Sequence, residues 1–421
     1  MANEFNKEER VAFELMMEGF QDALVMSKNV SVYNTDSMTM ERTGDAIWRP
    51  QPYIAQAFDG MDQSDNFKSG TQLSVPATLG FQKSSPFVLD AKELRDALQE
   101  QRLGKAAKDK LASVINQSVM NVAAMQGSLV VKRTVAATGF DDVALCEAIM
   151  NEQGVPFEER YLSLSTRDYN GMASNLAGRQ TMQGRPETAY DRAFVGTVSS
   201  FDTFKLDYAN RISAATASGI TINTTAAGSN NYVPKATSVA VTGERSNVDN
   251  RFQQVTVNIT TNIKAGDCFT ITGVNAVHHI TKQDTGQLKT YRVISVDSSN
   301  AMTITPPLVT NQNPTDSSAA YQNCVVNTPA SNSAIVFLNT VSAFANPFWQ
   351  KDAIELLPGK LAVPSDAGAA VLRNTTDNGI EVVFMKWFDI KTAKTLYRLD
   401  TLFGVVNKQP EMSGLILFGQ S

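Results

Sequence analysis

The spacing of apolar residues changes several times along the chain, and each change predicts a different element. Over residues 8–28, Val11, Leu15, Phe20 and Leu24 recur at helical spacing, with Glu14, Glu18 and Asp22 between them. That pattern predicts an amphipathic helix, read first as a docked one and second as a partner-binding arm. From 40 to 90 the periodicity is lost. Pro50, Pro52, Gly60, Gly70, Pro76, Gly80 and Pro86 punctuate short β-like runs at 46–48 and 72–75. Such punctuation breaks helices and predicts a long extended hairpin with an acidic tip at 59–65. A free two-stranded arm has almost no core of its own, so it makes physical sense lying on another subunit.

Residues 90–127 carry the strongest helix signal. Asp90 reads as the N-cap, Glu93 completes a capping box, and Gly127 reads as the C-cap. Leu94, Leu98, Leu111, Val114, Ile115, Val119, Val122 and Met125 keep helical spacing between them. At 1.5 Å per residue this is a rod of about 55 Å, with a bend expected near Gly104. No heptad is sustained, so it reads as a structural spine rather than a coiled coil.

Further on, helix is expected at 140–153 with Asp141 as cap, strand at 160–165 and helix at 168–177. At residue 217 the composition turns to Thr, Ser, Asn and Val. Alternation at 237–242, 254–261, 268–272, 291–296 and 302–305, separated by turns at 243–245, 264–267 and 297–300, predicts a small barrel or sandwich. Strands at 380–384, 396–399 and 415–418 return to complete the sheets begun before the insertion. The expected division is an arm (1–40), an extended hairpin (41–89), a spine (90–134), an α+β domain (135–217), an inserted β-barrel (218–333) and returning strands (334–421).

Composition narrows the function. Of 421 residues 43% are hydrophobic and 19% charged, so a sizeable core is possible but the solvated surface is thin in charge. The net charge of −5, without a clustered basic track, argues against a protein that grips nucleic acid. Cys146, Cys268 and Cys324 are odd in number and widely spaced, which excludes a disulfide framework and a cysteine zinc site. No signal peptide and no membrane-spanning run is predicted.

Chemistry is hard to find. The only histidines, His278 and His279, are adjacent, and in a strand they point to opposite faces. No nucleophile elbow, phosphate loop, dinucleotide fingerprint or zincin motif is present. Asp141-Asp142 and Glu158-Glu159 read as a cap and a turn, and Asp267 after Gly266 reads as a turn residue. No catalytic residue, cofactor or metal is expected.

Several stretches, in order, resemble one family. They are Thr43-Gly44-Asp45-Ala46-Ile47-Trp48-Arg49-Pro50, Leu89-Asp90-Ala91-Lys92-Glu93-Leu94-Arg95-Asp96 and Met125-Gln126-Gly127-Ser128-Leu129-Val130. Asn247-Val248-Asp249-Asn250-Arg251-Phe252, the most specific, is followed by Lys264-Ala265-Gly266-Asp267, Ile271-Thr272-Gly273-Val274 and Asn346-Pro347-Phe348-Trp349. The set is similar to the coat proteins of P22-like short-tailed phages. That resemblance implies an α+β fold of the HK97 capsid type: N-terminal arm, extended loop, long spine helix and inserted small β-barrel.

The same resemblance implies pentons and hexons of an icosahedral shell around double-stranded DNA, which is enclosed without sequence-specific binding. It implies assembly in the host cytoplasm on a scaffolding protein, with a portal protein at one vertex, then expansion into the virion. It makes Glu14, Glu18 and Asp22 candidates for the scaffolding contact. Glu244, Arg245 and Asp249 become candidates for contact between capsomers, and Asp59, Asp62, Asp65 and Lys68 for contact through the extended loop. An acidic balance suits a wall past which packaged DNA must slide. The competing readings are another self-assembling phage tube or shell protein, and a monomeric β-module that binds carbohydrate or uses Asp267 for hydrolysis.

Overall fold

Strand and helix alternate through the chain in the order the resemblance implies. The structure is a computed structural model, and it describes residues 4–5, 7–33, 46–52, 54, 61–62, 64, 67, 70–90, 97–178, 196–206, 210–222, 231–298, 300–310, 316–326, 332–363 and 368–421. The chain forms two compact units. One comprises Met1–Ile47, Ala77–Met120 and Ile354–Val406; the other comprises Trp48–Pro76, Asn121–Ala353 and Asn407–Ser421. The returning segment is therefore divided between the units at Val406.

In the first unit, helices α1 (Lys7–Ala23) and α2 (Val25–Lys28) accompany most of α3 (Ala97–Gln126). A sheet runs in the order Ser31–Val32, Ile354–Gly359, Lys394–Asn407, Glu381–Asp389, Ala370–Thr375. Phe384 is the hub of its core. Phe5, Phe13 and Tyr397 stack on it with centroids at 5.2, 5.7 and 5.7 Å. Glu9 pairs with Lys386 beside them. The face of α1 that this buries is Phe13, Met17 and Phe20, whereas Val11 and Leu15 are exposed. Both sets keep helical spacing, and the aromatic set removes more apolar surface from water. The docked-helix reading of the arm holds: Phe20 and Leu24 of the expected stripe are buried, while Phe13 and Met17 take the place of Val11 and Leu15.

Asp90 ends the strand Phe81–Asp90, which pairs antiparallel with Lys394–Asn407 from Asp90–Lys394 to Phe81–Phe403. The start of the spine expected at 91–96, including Glu93, lies outside the described residues. The 30 residues of α3 span about 45 Å at the usual rise. Residues 81–89 thus belong to this sheet, because their alternating pattern buries one face there. Among the described residues, pairing in the extended hairpin runs between Ile47–Pro50 and Ser74–Ala77, prolonged by Gln51 N–H donating to the Leu73 carbonyl at 2.9 Å.

The second unit holds α4 (Phe140–Glu152), α5 (Thr166–Gly178) and α6 (Asp316–Ala320). Its mixed sheet runs Leu129–Lys132, Ser413–Leu417, Asn346–Gln350, Arg160–Ser165, Phe201–Leu206, Thr197–Val198. The start of α4 is served by Asp142, not Asp141. The buried Asp142 carboxylate accepts from the backbone N–H groups of Thr138 (2.6 Å) and Gly139 (3.2 Å) and faces Arg133 at 2.6 Å. Only the third helical position reaches back over the open amides; Asp141 points to solvent. Gly127 does close α3, because a Cβ there would lie 2.9 Å from the Ala123 carbonyl oxygen and from the Gly414 nitrogen.

The inserted segment closes into a barrel. Gln253–Thr256, Ala301–Thr305, Asp284–Ser298, Cys268–Val277 and Ile335–Phe337 pair in turn, all antiparallel. Residues 220–222 complete the ring: Ile335 N–H donates to the Ile220 carbonyl, and Asn258 N–H to the Thr221 carbonyl. Val255, Phe269, Tyr291, Val293, Met302 and Ile304 fill its interior. His278 and His279 follow the strand Cys268–Val277 in a turn, not within it. Across the joint with the α+β sheet, the ammonium of the buried Lys289 bonds Glu411 and, at 3.1 Å, Gln153; His279 Nε2 lies 3.0 Å from Glu411. Burial alone would raise the Glu411 carboxyl, but Lys289 and then His279 outweigh it and hold Glu411 well below the usual carboxylate range. Burial also pushes the Lys282 ammonium down to about 8.

Two outcomes follow for stability. A Cβ on Gly414 would sit 2.2 Å from the Leu129 carbonyl oxygen and 2.7 Å from Phe348 Cζ. Gly414→Ala is expected to cost about 3 kcal/mol in urea denaturation of the free chain. A carboxyl held low in the folded state adds stability above its unfolded value and loses it as acid protonates it. The urea midpoint of the wild type should therefore fall from about pH 5 downward, around the unfolded glutamate value. Glu411→Gln, less stable at neutral pH, should fall less steeply, so the two midpoints converge in acid.

Candidate assembly surfaces

The segment that carries the most specific resemblance builds a projecting hairpin. Thr237–Val239 pairs with Arg245–Asn247, and Gly243 turns the chain with φ +88°. Ala240 N–H donates to the Glu244 carbonyl at 2.9 Å, and the Ser238 and Ser246 hydroxyls meet at 2.9 Å. Every residue from 237 to 247 is exposed, and Val239 and Val241 are among the exposed apolar side chains. With no side chain buried, the hairpin draws nothing from a core.

Its root is rigid instead. The Asn250 side chain accepts from Lys235 N–H at 3.0 Å and from the Tyr232 hydroxyl at 3.0 Å, and donates to the Lys235 and Val248 carbonyls. The Arg251 guanidinium holds Asp249 through Nη2 at 2.7 Å and Nε at 2.9 Å, then reaches the Asn407 carbonyl at 2.9 Å. Two ends of a guanidinium used this way fix direction as well as distance. Asp249, a sequence candidate for contact between capsomers, is therefore engaged inside the chain. Glu244 and Arg245 are exposed on the hairpin itself.

The extended loop is rooted in the same unit. Gln51 Nε2 donates to the Lys408 carbonyl at 2.7 Å, and the Tyr321 hydroxyl donates to the Thr71 carbonyl at 2.7 Å. Ser74 forms a parallel bridge with Asp249, at the root of the other projection. Toward the tip, Met61, Asp62 and Phe67 are exposed. The Asp62 carboxylate accepts from the Ser64 hydroxyl at 2.6 Å and the Ser64 N–H at 3.1 Å, which lowers it from its ordinary value. Asp59, Asp65 and Lys68 lie outside the described residues. On α1, Val11, Glu14 and Leu15 are exposed together; the Glu18 and Asp22 side chains lie outside the described residues.

Sequence reasoning missed the apolar members of these surfaces. Val239 and Val241 sit in an alternating run that promises a half-buried strand, and only the absence of facing structure exposes them. Asn250 and Arg251, quoted only as part of a motif, prove to be the hairpin's anchors. The search for chemistry ends in structural roles. Asp267 is buried, accepting from Asn339 Nδ2 at 2.9 Å and Lys264 N–H at 2.8 Å, so a hydrolytic role for it has no accessible carboxylate. His279 is held by Glu411, which no local spacing could reveal. Among the described residues no three His, Cys, Asp or Glu side chains could hold a metal, and no helix is long and apolar enough to cross a membrane.

Similar solved structures include one described as Mycobacterium phage Che8, 9% identical over 94% of this chain and 92% of that one, with a TM-score of 0.44. The capsid of cyanophage P-SCSP1u is 12% identical over 93% and 91%, with a TM-score of 0.44. The CUS-3 coat protein I-domain is 34% identical over 28% of this chain and 95% of its own, with a TM-score of 0.22. The sequence itself matches the family described as P22 coat protein, gene protein 5, over residues 1–419. A match over nearly all of the chain decides the matter: this chain belongs to the P22 coat protein family, a structural capsid protein, not an enzyme, whose copies form the icosahedral shell of a bacteriophage.

Proposed function

We propose that this coat protein assembles in the host cytoplasm as a procapsid on an internal scaffolding protein, around a portal protein, and that the shell expands as double-stranded DNA enters. The observation that carries this reading is the pair of segments rooted in one unit, each braced at its base: an exposed hairpin at 237–247 and an extended loop whose described residues Met61, Asp62, Ser64 and Phe67 are exposed. A lone chain gains nothing from bracing them. Neighbouring copies gain preset contact points, with the ordering entropy already met within each chain.

Each surface has a part. The outer face of α1, with Val11, Glu14 and Leu15 exposed, is the scaffolding contact, and Glu18 and Asp22 belong to the same acidic arm. Glu244 and Arg245 reach a neighbouring capsomer. Met61, Asp62 and Phe67, with Asp59, Asp65 and Lys68 of the same loop, lie on an adjacent subunit. The DNA is enclosed without sequence-specific binding, in keeping with the net charge of −5.

Exposed ion pairs contribute about 0–1 kcal/mol each and are screened by salt, so a shell that uses them sums many small terms. Glu14→Lys should leave the urea midpoint of the free chain unchanged and sharply lower the yield of closed particles on coexpression with scaffolding protein. Wild-type yield should also fall as ionic strength rises, both read by sedimentation and electron microscopy; a yield indifferent to salt and to Glu14→Lys rejects the arm's role. At the other surface, Arg245→Glu should lower particle yield, and Glu244→Arg combined with Arg245→Glu should restore part of it. Failure of the exchange to restore any yield separates a charge contact from a merely steric one.

A further inference from the structure

Where the barrel meets the α+β sheet, one anion serves three basic side chains. The Glu411 carboxylate holds the ammonium of the buried Lys289 on Oε1 and His279 Nε2 on Oε2, the latter at 3.0 Å. The Lys282 ammonium donates to the Gln322 carbonyl at 3.1 Å and lies within the field of both Glu411 and Lys289. Burial brings it down to about 8, so it is a cation below that pH. All three bases come from one stretch of the barrel, 279–289. Among the described residues no carboxylate other than Glu411 pairs with any of them.

The surrounding groups supply no second counter-ion. Gln153 Oε1 accepts from Lys289 at 3.1 Å, and the Gln153 carbonyl accepts from His279 N–H at 3.3 Å. His278 Nδ1 accepts from the Ile280 and Thr281 N–H groups at 3.2 Å each, and its ring lies against Gly154, where a Cβ would come within 2.9 Å of Cε1. The Tyr291 hydroxyl and the Cys324 thiol also feel Glu411, and burial pushes both up, so they stay uncharged. Arg251 is taken by Asp249. Glu152 borders the same cavity as Lys289, but burial raises its carboxyl, so in acid it loses its charge earlier than an ordinary glutamate.

We propose that Glu411 is a proton-operated latch: protonating it releases the barrel turn 278–283 from the α+β sheet while the barrel and the sheet stay folded. With the carboxylate neutral, Lys289, protonated His279 and Lys282 face one another as like charges without a counter-ion, and unpaired buried charge is costly. The turn is the part that yields. It lies between the strands Cys268–Val277 and Asp284–Ser298, so it leaves without breaking a strand pair. Its bonds to the sheet side are those of His279 to Gln153 and Glu411. Opening returns Glu411 to its ordinary value, about 4.3, and so takes up one proton. Opening therefore becomes easier as pH falls through that value, by about tenfold per pH unit. The latch goes beyond the assembly reading and does not use it.

The test is hydrogen exchange on the full-length free chain between pH 5 and pH 3, corrected for the intrinsic exchange rate at each pH. In wild type the amides of residues 279–282 should lose protection by about tenfold over that range. Amides of 160–165 in the sheet and 302–305 in the barrel should lose clearly less. In Glu411→Gln the turn should already be unprotected at pH 5 and show no further fall. Glu411→Gln combined with Lys289→Met, which removes the buried like charge, should regain part of the protection. Turn amides that are flat with pH in wild type, that fall only in step with 160–165, or that fall as steeply in Glu411→Gln overturn the latch, and so does a double variant that regains nothing. Where a variant does not fold, the wild-type series decides alone: an excess loss at 279–282 over 160–165 upholds the latch and no excess overturns it.

Discussion

The second unit stands on one inserted strand. Ser413–Leu417 lies parallel to Leu129–Lys132 on one side and antiparallel to Asn346–Gln350 on the other. It joins the strand that follows α3 to the strand that follows the barrel, two segments more than two hundred residues apart. The residues just before it extend the same grip. The Pro410 carbonyl accepts from both the N–H and the hydroxyl of Ser128, and Glu411 takes the buried ammonium of Lys289. Without this strand the segments Leu129–Lys132 and Asn346–Gln350 would have no shared ladder. The approach is close enough that two glycines, Gly127 and Gly414, face each other across it.

How much of this was legible in the sequence depends on whether a signal was local. Helical periodicity located α3, α4 and α5, and alternation located four barrel strands, near 254, 268, 291 and 302, because each pattern repeats within a few residues; the run at 237–242 lies instead in the exposed hairpin, and Ile335–Phe337 was missed. Which of two helical faces is buried is not a local property. In α1, Val11 and Leu15 compete with Phe13, Met17 and Phe20, and the aromatic cluster around Phe384 decides it from more than 350 residues away. Caps depend on reach as well as chemistry: Asp142 outcompetes Asp141 because only its carboxylate reaches the open amides. The candidate assembly residues divide along the same line. Glu244 and Arg245 were readable from a turn, whereas the anchoring by Asn250 and Arg251 needs Tyr232, Lys235 and Asn407 in place.

A chain with 19% charged residues still buries several of them, and each is placed where it settles the direction of an element. Asp142 sets the start of α4, Arg251 the root of the hairpin, and Glu411 the seat of the barrel. Burying a charge is worthwhile only when every donor or acceptor finds a partner, and then its main effect is to reject alternatives rather than to add stability. A coat protein has reason to need that. Its free energy of folding decides whether it survives as a subunit, and under the assembly proposed above the geometry of its projections decides whether the shell closes.

Rigid roots with unpacked tips also explain why the surface can be so thin in charge. A subunit that must meet many copies in nearly equivalent settings cannot use one strong, finely matched contact, because any misfit would be repeated around the shell. Under the assembly proposed above it uses small ones: a valine at a hairpin tip, a single glutamate on a helix face, a phenylalanine in a loop. Each is weak enough to be corrected during assembly, and the symmetry of the shell multiplies them into a closed particle. The strong interactions stay inside the subunit, where they hold those weak contacts at fixed angles.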